Sequence, residues 1–378
     1  MKVFHCDHCQ QLVSFENTHC VKCEHTLAYL PDLQAVASLE QMPGVENKWR
    51  VAHDAKRTYR LCANYVAHNV CNGAIPTADP HDLCESCRLT RVIPDLSLPA
   101  NMPRWAKLEA AKRRLIYTLH AVGCPVVNKT DDPVNGLTFE FLADPTTADA
   151  PKVLTGHAEG VITLNISEAD DAERELRRVQ MHEPYRTLLG HFRHEVGHYY
   201  FDRLVKDGPR IDRFRELFGD ERQDYGDALQ RHYAQGPPPD WQERHVSAYA
   251  ASHPWEDWAE TWAHYLNMID TLETAAACGL SLHPKVAGMP KLTAAPADPV
   301  ERPFDDLIAS WYPLTYALNS LSRGLGVADV YPFVVSAPAV EKLRYVHETV
   351  IARTPVTPPT TPAVEVATSL PVGVLSPR

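Results

Sequence analysis

His194-Glu195-Val196-Gly197-His198 is the stretch on which the reading of this chain turns. It reads HExxH. On a helix, residues four apart share a face, so both imidazoles can reach one metal ion, and the glutamate between them sits beside the open coordination position. There it can take a proton from an activated water. The flanks agree with a helix. Glu183 to Arg193 reads as its approach, with Pro184 at an early position, and the helix is expected from about Pro184 to Val205. Upstream, Gly160 to Ile166 is a β-rich run, so a strand precedes the metal helix. Gly197 suggests a close approach of another backbone to this helix.

Catalytic zinc usually takes three protein ligands and a water. The best source of a third is His253-Pro254-Trp255-Glu256-Asp257-Trp258-Ala259-Glu260-Thr261-Trp262-Ala263-His264. Proline fits the first turn of a helix, which places Glu256 and Glu260 one turn apart on one face. Trp255, Trp258, Ala259 and Trp262 make the helix largely apolar, and acids inside a packed helix need partners. One carboxylate can bind zinc while the other accepts a hydrogen bond from a ligand histidine. Spacing alone leaves open which does which.

A second source of metal chemistry lies at the amino terminus. Eight of the ten cysteines fall before residue 90. Cys6 and Cys9 form one CxxC knuckle, and Cys20 and Cys23 another. Two such pairs make a closed tetrahedral zinc site. Cys62, Cys71, Cys84 and Cys87 form a second set, with one CxxC and one looser pair. Pairings could swap between the sets, and His5, His8, His19 and His25 lie near enough to serve as ligands. Cys124 and Cys278 stand alone and are expected to be buried as small hydrophobes.

The chain has 378 residues, a net charge of −11 and 44% hydrophobic residues. That permits a packed core, and it argues against wrapping nucleic acid. The first 103 residues hold nine Lys/Arg and eleven Asp/Glu, so basic charge is not segregated there. No apolar run is long enough to span a membrane, and the first residues lack a secretory h-region. A cytoplasmic location is the expectation, and reduced thiols there favour metal over disulfides.

The organisation predicted is a zinc-ribbon region over 1–92, a proline-rich linker over 93–103, a metal-helix domain over 104–353 and a disordered tail over 354–378. The ribbon region is too small and too short of periodic segments to bury much core, so metal must supply folding energy. After the linker, Trp105, Leu108, Leu115, Ile116, Leu119 and Val122 form one stripe of a helix, with Lys107, Lys112, Arg113 and Arg114 mostly elsewhere and Gly123 as its stop. Strands are expected at 137–142 and 160–166. Helices are expected at 168–178, at 241–278 with a break near His253-Pro254, at 304–325 and at 339–351.

The runs HEVGHYYFDRL (194–204) and YGDALQRHYAQGPPPDWQERHVSAYAASHPWEDWAETWAHYLNMIDTLETA (225–275) resemble the bacterial zinc-binding metallopeptidases that carry an amino-terminal zinc-ribbon domain. The resemblance covers nearly the whole chain apart from the tail. It implies a cytoplasmic zinc peptidase-like protein, and the fold expected is α+β: tandem zinc ribbons followed by a mostly helical zincin-like domain with a small sheet. The active-site pattern is also similar to the lethal-factor-type zinc proteases, where HExGH is followed by Tyr-x6-Glu-x2-Ala-Glu. That similarity implies Glu256 as the third ligand beside His194 and His198, with Tyr249 stabilising the oxyanion; Glu195 is then the base, and Glu260 the acid that supports a ligand histidine. Glu260 as ligand is the alternative, and His253 a weaker one. The cofactors expected are one catalytic zinc and two structural ones, at Cys6, Cys9, Cys20 and Cys23 and at Cys62, Cys71, Cys84 and Cys87.

These readings point to a peptidase acting on a protein or peptide substrate. Two alternatives stand beside it. The ribbons could recruit a protein or nucleic-acid-associated target, or dock on the catalytic cleft and restrain it. A non-catalytic zinc scaffold is the other, against which Glu195 argues, since a structural site has no use for a base.

Overall fold

Short strands separated by knuckles and tight turns build the amino-terminal third. The computed structural model describes residues 1–145, 152–180, 187–286, 288–289, 291–293 and 301–352. Strands β1 (Phe4–His5) and β2 (Leu12–Val13) form the first knuckle hairpin. Strands β3 (Thr26–Leu30), β4 (Ala35–Gln41), β5 (Trp49–Val51), β6 (Asp54–Leu61) and β7 (Ala74–Pro76) follow as an antiparallel sheet in that order. This region buries more than its composition suggested. Ala28, Leu30, Leu39, Val51, Tyr59 and Leu61 pack on one face of the sheet, and Phe4, Phe15, Leu27 and Tyr29 form a second cluster. Helices α1 (Ala63–His68) and α2 (Glu85–Arg88) start directly after Cys62 and Cys84.

The linker expected over 93–103 is shorter at its carboxyl end, and the ribbon region expected to end at 92 gives up its last strand. Strand β8 (Thr90–Val92) already belongs to another sheet, where it pairs in parallel with β9 (Thr138–Leu142). Helix α3 (Asn101–Ala121) starts before Pro103, which an early helical position tolerates. That second sheet runs β10-β11-β9-β8, with β10 (Gly156–Ala158) antiparallel to β11 (Val161–Asn165) and β11 parallel to β9. The expected stripe of α3 is buried from Trp105 to Val122, and Gly123 follows at φ 70°. Lys112 and Arg113 depart from expectation, because both are buried. Lys112 pairs with Glu109 at 2.8 Å and donates to the Thr90 hydroxyl, while Arg113 donates to the Val70 carbonyl. A buried cation is stable only with such partners, and these two fasten α3 to β8 and to the ribbon region.

The remaining helices are α4 (Asp171–Gln180), α5 (Leu188–Leu204), α6 (Ile211–Phe218), α7 (Tyr225–Gln235), α8 (Pro254–Ala277), α9 (Phe304–Gly324) and α10 (Ala337–Ile351), with the strand pair β12 (Ser281–Leu282) and β13 (Leu292–Thr293) between α8 and α9. The HExxH helix is α5. Its expected start at Pro184 lies outside the described residues, as does the tail from 354. The helix is capped by Thr187, whose hydroxyl accepts from the Gly190 amide at 3.0 Å. Helix α8 is capped by His253, with Pro254 at its first position.

Helices α5 and α8 cross at the centre of the main core. A Cβ placed on Gly197 would lie 3.0 Å from Ala259 Cα and 3.3 Å from the Ala259 carbonyl oxygen. Only hydrogen fits there, as the sequence suggested. Trp258 donates its indole N–H to the Gly197 carbonyl at 2.8 Å, and Tyr200 stacks on Trp262 at 4.9 Å. The crossing thus sets the depth at which side chains of the two helices can meet.

The ribbon region rests on α3 and on the carboxyl-terminal part of α8. Tyr117 packs edge-on against Phe4, Phe15 and Tyr29, and its hydroxyl donates to Glu273 at 3.0 Å. Arg114 pairs with Glu16, and His120 with Glu85 at 3.1 Å. Asp270 and Glu273 receive the Met1 amino group at 2.6 and 3.0 Å. Asp270 stands fourteen residues beyond Glu256, about 21 Å along the helix. Cys124 is buried as expected, but Cys278 is exposed, because α8 has already ended and Gly279 turns the chain at the surface.

Candidate metal centre

Two turns of α5 carry His194, Glu195 and His198, all nearly buried. The first turn of α8 brings Glu256 against them, 1% exposed. His194 Nε2 lies 3.0 Å from Glu256 Oε2 and 3.2 Å from His198 Nε2, which is 3.5 Å from the same oxygen. Three potential ligand atoms thus face one another away from water. Burying them together is costly unless a proton or a metal cation is shared among them. Zinc with ligands at about 2.0–2.1 Å places its ligand atoms about 3.3–3.4 Å apart in a tetrahedron, so the three residues fit one ion.

Glu260 lies on the other side of the His194 ring. Its Oε1 is 2.7 Å from His194 Nδ1, and its Oε2 accepts from Ser247 Oγ at 2.6 Å. Ser247 is in turn held by the Ala250 amide at 3.1 Å. This chain fixes the tautomer of His194 and turns Nε2 toward Glu256. Burial alone would raise the Glu256 carboxyl, but the imidazoles of His198 and His194 outweigh it and hold the group well below the ordinary carboxylate range. Burial would likewise raise Glu260, and the His194 hydrogen bond holds it at about 2. His194 shows the mirror image: burial disfavours its charge, and the two glutamates raise it well above its usual value. The charges in this cluster act on one another, as in groups able to share a cation.

The sequence alternatives for the third ligand separate here. His253 is occupied as a helix cap, with Nδ1 accepting from the Trp255 amide at 3.1 Å and Nε2 beside the Gln223 carbonyl at 3.2 Å. Tyr249 lies in the turn Tyr249–Ser252 just before α8, its ring 5.9 Å from that of His194. Burial first, and the Glu256 charge next, push its hydroxyl well above the usual value, so it stays protonated and able to donate.

Sequence reasoning missed Tyr225. It opens α7, and its hydroxyl donates to Glu256 Oε1 at 2.6 Å, the oxygen turned away from the imidazoles. No motif marks it, for it stands 31 residues before Glu256 and only the fold brings it there. Trp255 was read as a packing residue, yet its ring lies 3.9 Å from that of His198. His157, on β10, stacks 6.4 Å from His198, and its amide partner is Gly160 at 3.0 Å.

The cysteines form two further clusters, each with all four sulfurs within 4.8 Å of one another. Cys6 and Cys23 are 3.6 Å apart, Cys9 and Cys20 3.5 Å, and Cys71 and Cys84 3.6 Å. A disulfide needs about 2.05 Å, whereas four thiolates at about 2.3 Å from one zinc lie about 3.8 Å apart. The sets are those the spacing suggested, without exchange. A Cβ on Gly73 would sit 3.0 Å from Cys84 Sγ, so that residue leaves room for the second cluster. Amides of Gly73 and Cys84 point at Cys71 and Cys62 sulfurs at 3.2 and 3.3 Å, and the thiols of Cys71, Cys84 and Cys87 pull Cys62 far below its ordinary value.

Residues 101–349 match the protein family described as "Putative zinc-binding metallo-peptidase". The chain belongs to that family. Residues 3–98 match a zinc-ribbon domain, so the metallopeptidase-family region follows ribbons as the cysteines indicate. The chain is similar to proteins of Mycobacterium tuberculosis (strain ATCC 25618 / H37Rv) and Mycobacterium bovis, both named only as uncharacterized. Each is 44% identical over 352 residues, covering 93% of this chain and 95% of the relative. No solved structure matches the chain. Among the described residues, no helix is long and apolar enough to cross a membrane.

Proposed function

We propose that this chain is a zinc-dependent peptidase, with His194, His198 and Glu256 as ligands of the catalytic ion and Glu195 as general base. The supporting observation is the convergence of two imidazole nitrogens from the helix that also carries Glu195 with one buried carboxylate oxygen from α8, at 3.0–3.5 Å. A bound zinc ion supplies a Lewis acid and lowers the pKa of a water toward about 7. Glu195 takes the proton of the attacking water and passes it to the leaving amine. Glu260 and Ser247 hold the His194 ring in its tautomer, and Trp255 fixes the plane of His198. Tyr225 occupies the outer oxygen of Glu256, leaving the inner one to face the imidazoles. Tyr249 donates to the oxyanion that develops on the scissile carbonyl. The two cysteine clusters hold one structural ion each, and the expected setting is the cytoplasm, where their thiols stay reduced.

The full chain, incubated with an unbiased peptide library, should generate new amino termini. Stripping with a chelator should end the cleavage and zinc should restore it. A library left uncut by the zinc-loaded protein across pH and zinc concentration counts against the reading. Within an active preparation, Tyr249→Phe should lower kcat by about 10²–10³-fold with zinc retained, as loss of one oxyanion donor does. Tyr225→Phe should instead act on zinc affinity. Equal kcat in Tyr249→Phe and wild type would remove Tyr249 from the mechanism.

A further inference from the structure

The first cysteine cluster has a rim that the peptidase reading does not use. His8 sits inside the first knuckle between Cys6 and Cys9, and His25 follows Cys23 by two residues. Their rings stack at 4.0 Å with planes 27° apart. His53, from the turn between β5 and β6, stacks on His8 at 6.1 Å. Three separate segments thus bring imidazoles to one spot. Ligand atoms of His8, Cys23 and His25 all lie within 4.8 Å of one another. Cys23, whose sulfur belongs to both sets, is only half-buried, while Cys6 and Cys20 are buried.

We infer that His8, His25 and Cys23, completed by His53, form an additional, exchangeable zinc site that shares the Cys23 thiolate with the ion of the first ribbon. The chemistry favours it. A zinc ion held by four thiolates leaves a net charge of about −2 on the cluster, which draws a second cation to its exposed edge. A zinc-bound thiolate keeps lone pairs that can bridge. Imidazole and thiolate together suit zinc among the available divalent ions. His25 Nδ1 lies 3.2 Å from the Cys23 carbonyl. An N–H donated there leaves Nε2 as the ligand atom and fixes the ring's orientation. His8 and His53 are exposed and reorient within nanoseconds, so small rotations bring their ligand atoms to bonding distance. The same exposure makes the ion exchangeable. The inference rests on reading the first four cysteines as zinc ligands and is independent of the catalytic site.

The test counts zinc per full-length chain after dialysis against a series of free zinc concentrations. Wild type should hold a set of tight ions at all concentrations and fill one more at micromolar zinc. The His8→Gln/His25→Gln protein should keep every tight ion and its far-UV circular dichroism, and lose the additional one. His8→Gln alone, at an exposed position, gives the same comparison if the double variant folds poorly. His53→Gln should weaken the additional ion about tenfold. Equal uptake by wild type and variants overturns the site. So does the loss of a tight ion, which would make the histidines ligands of the ribbon ion itself. Cys6→Ser leaves the rim set whole and should cost a tight ion. If it costs none, the ribbon reading fails instead.

Discussion

The Glu195→Gln protein should keep its zinc and lose peptide hydrolysis by about 10²–10⁴-fold, the range for a lost acid–base group. Glutamine preserves shape and hydrogen bonding but cannot accept the proton. Zinc content should hold because the converging atoms belong to His194, His198 and Glu256, and Glu195 is not among them. Its charge is felt at the far wall of the site, where it contributes, after burial and Glu256, to raising the Tyr225 and Tyr249 hydroxyls. The measurement pairs metal analysis with cleavage of a peptide library. Equal cleavage by variant and wild type would show the mechanism to be wrong. A wild type that cleaves nothing gives weight to a zinc scaffold.

Glu256→Ala should lose the catalytic ion altogether while the ribbon zinc stays. Glu260→Ala should weaken that ion by only about 10–100-fold. The two acids differ by one helical turn, yet they meet opposite nitrogens of the same ring. Glu256 Oε2 faces Nε2 of both imidazoles, whereas Glu260 reaches His194 Nδ1 and is tied back to Ser247. Removing the first takes away a donor atom. Removing the second leaves the donors and loosens their aim. Competitive titration with a chelating dye ranks the two affinities. The reverse ranking would move the ligand to Glu260.

Local pattern carried much of this architecture in the sequence. The HExxH spacing, the α3 stripe and the cysteine pairs are contacts within one turn or one knuckle, so their spacing encodes them. Gly197 was readable because a glycine inside a helix costs stability unless something needs the room. Tyr225 was not readable, because its meeting with Glu256 depends on where α7 lies across the core. Lys112 and Arg113 stand off the apolar stripe, and their burial was not readable because Thr90 and the Val70 carbonyl come from distant segments. The ribbon region's sheet was hidden as well. Its strands are short, and one of its cores is shared among five of them.

Strand β8 has a consequence for how the two halves can move. A swinging module needs slack at its base, and three prolines between residues 93 and 103 look like slack. The strand just before them is instead stitched into the sheet beside the HExxH helix, and the helix that takes in the last of them carries the ribbons' packing surface. Rotation about the proline stretch would therefore tear the β8–β9 ladder. A cut within 93–100 would leave two pieces still laced together by main-chain hydrogen bonds. The boundary that the prolines draw along the chain is not a seam in space, and a gene fragment cut there would carry away one strand of its neighbour's sheet.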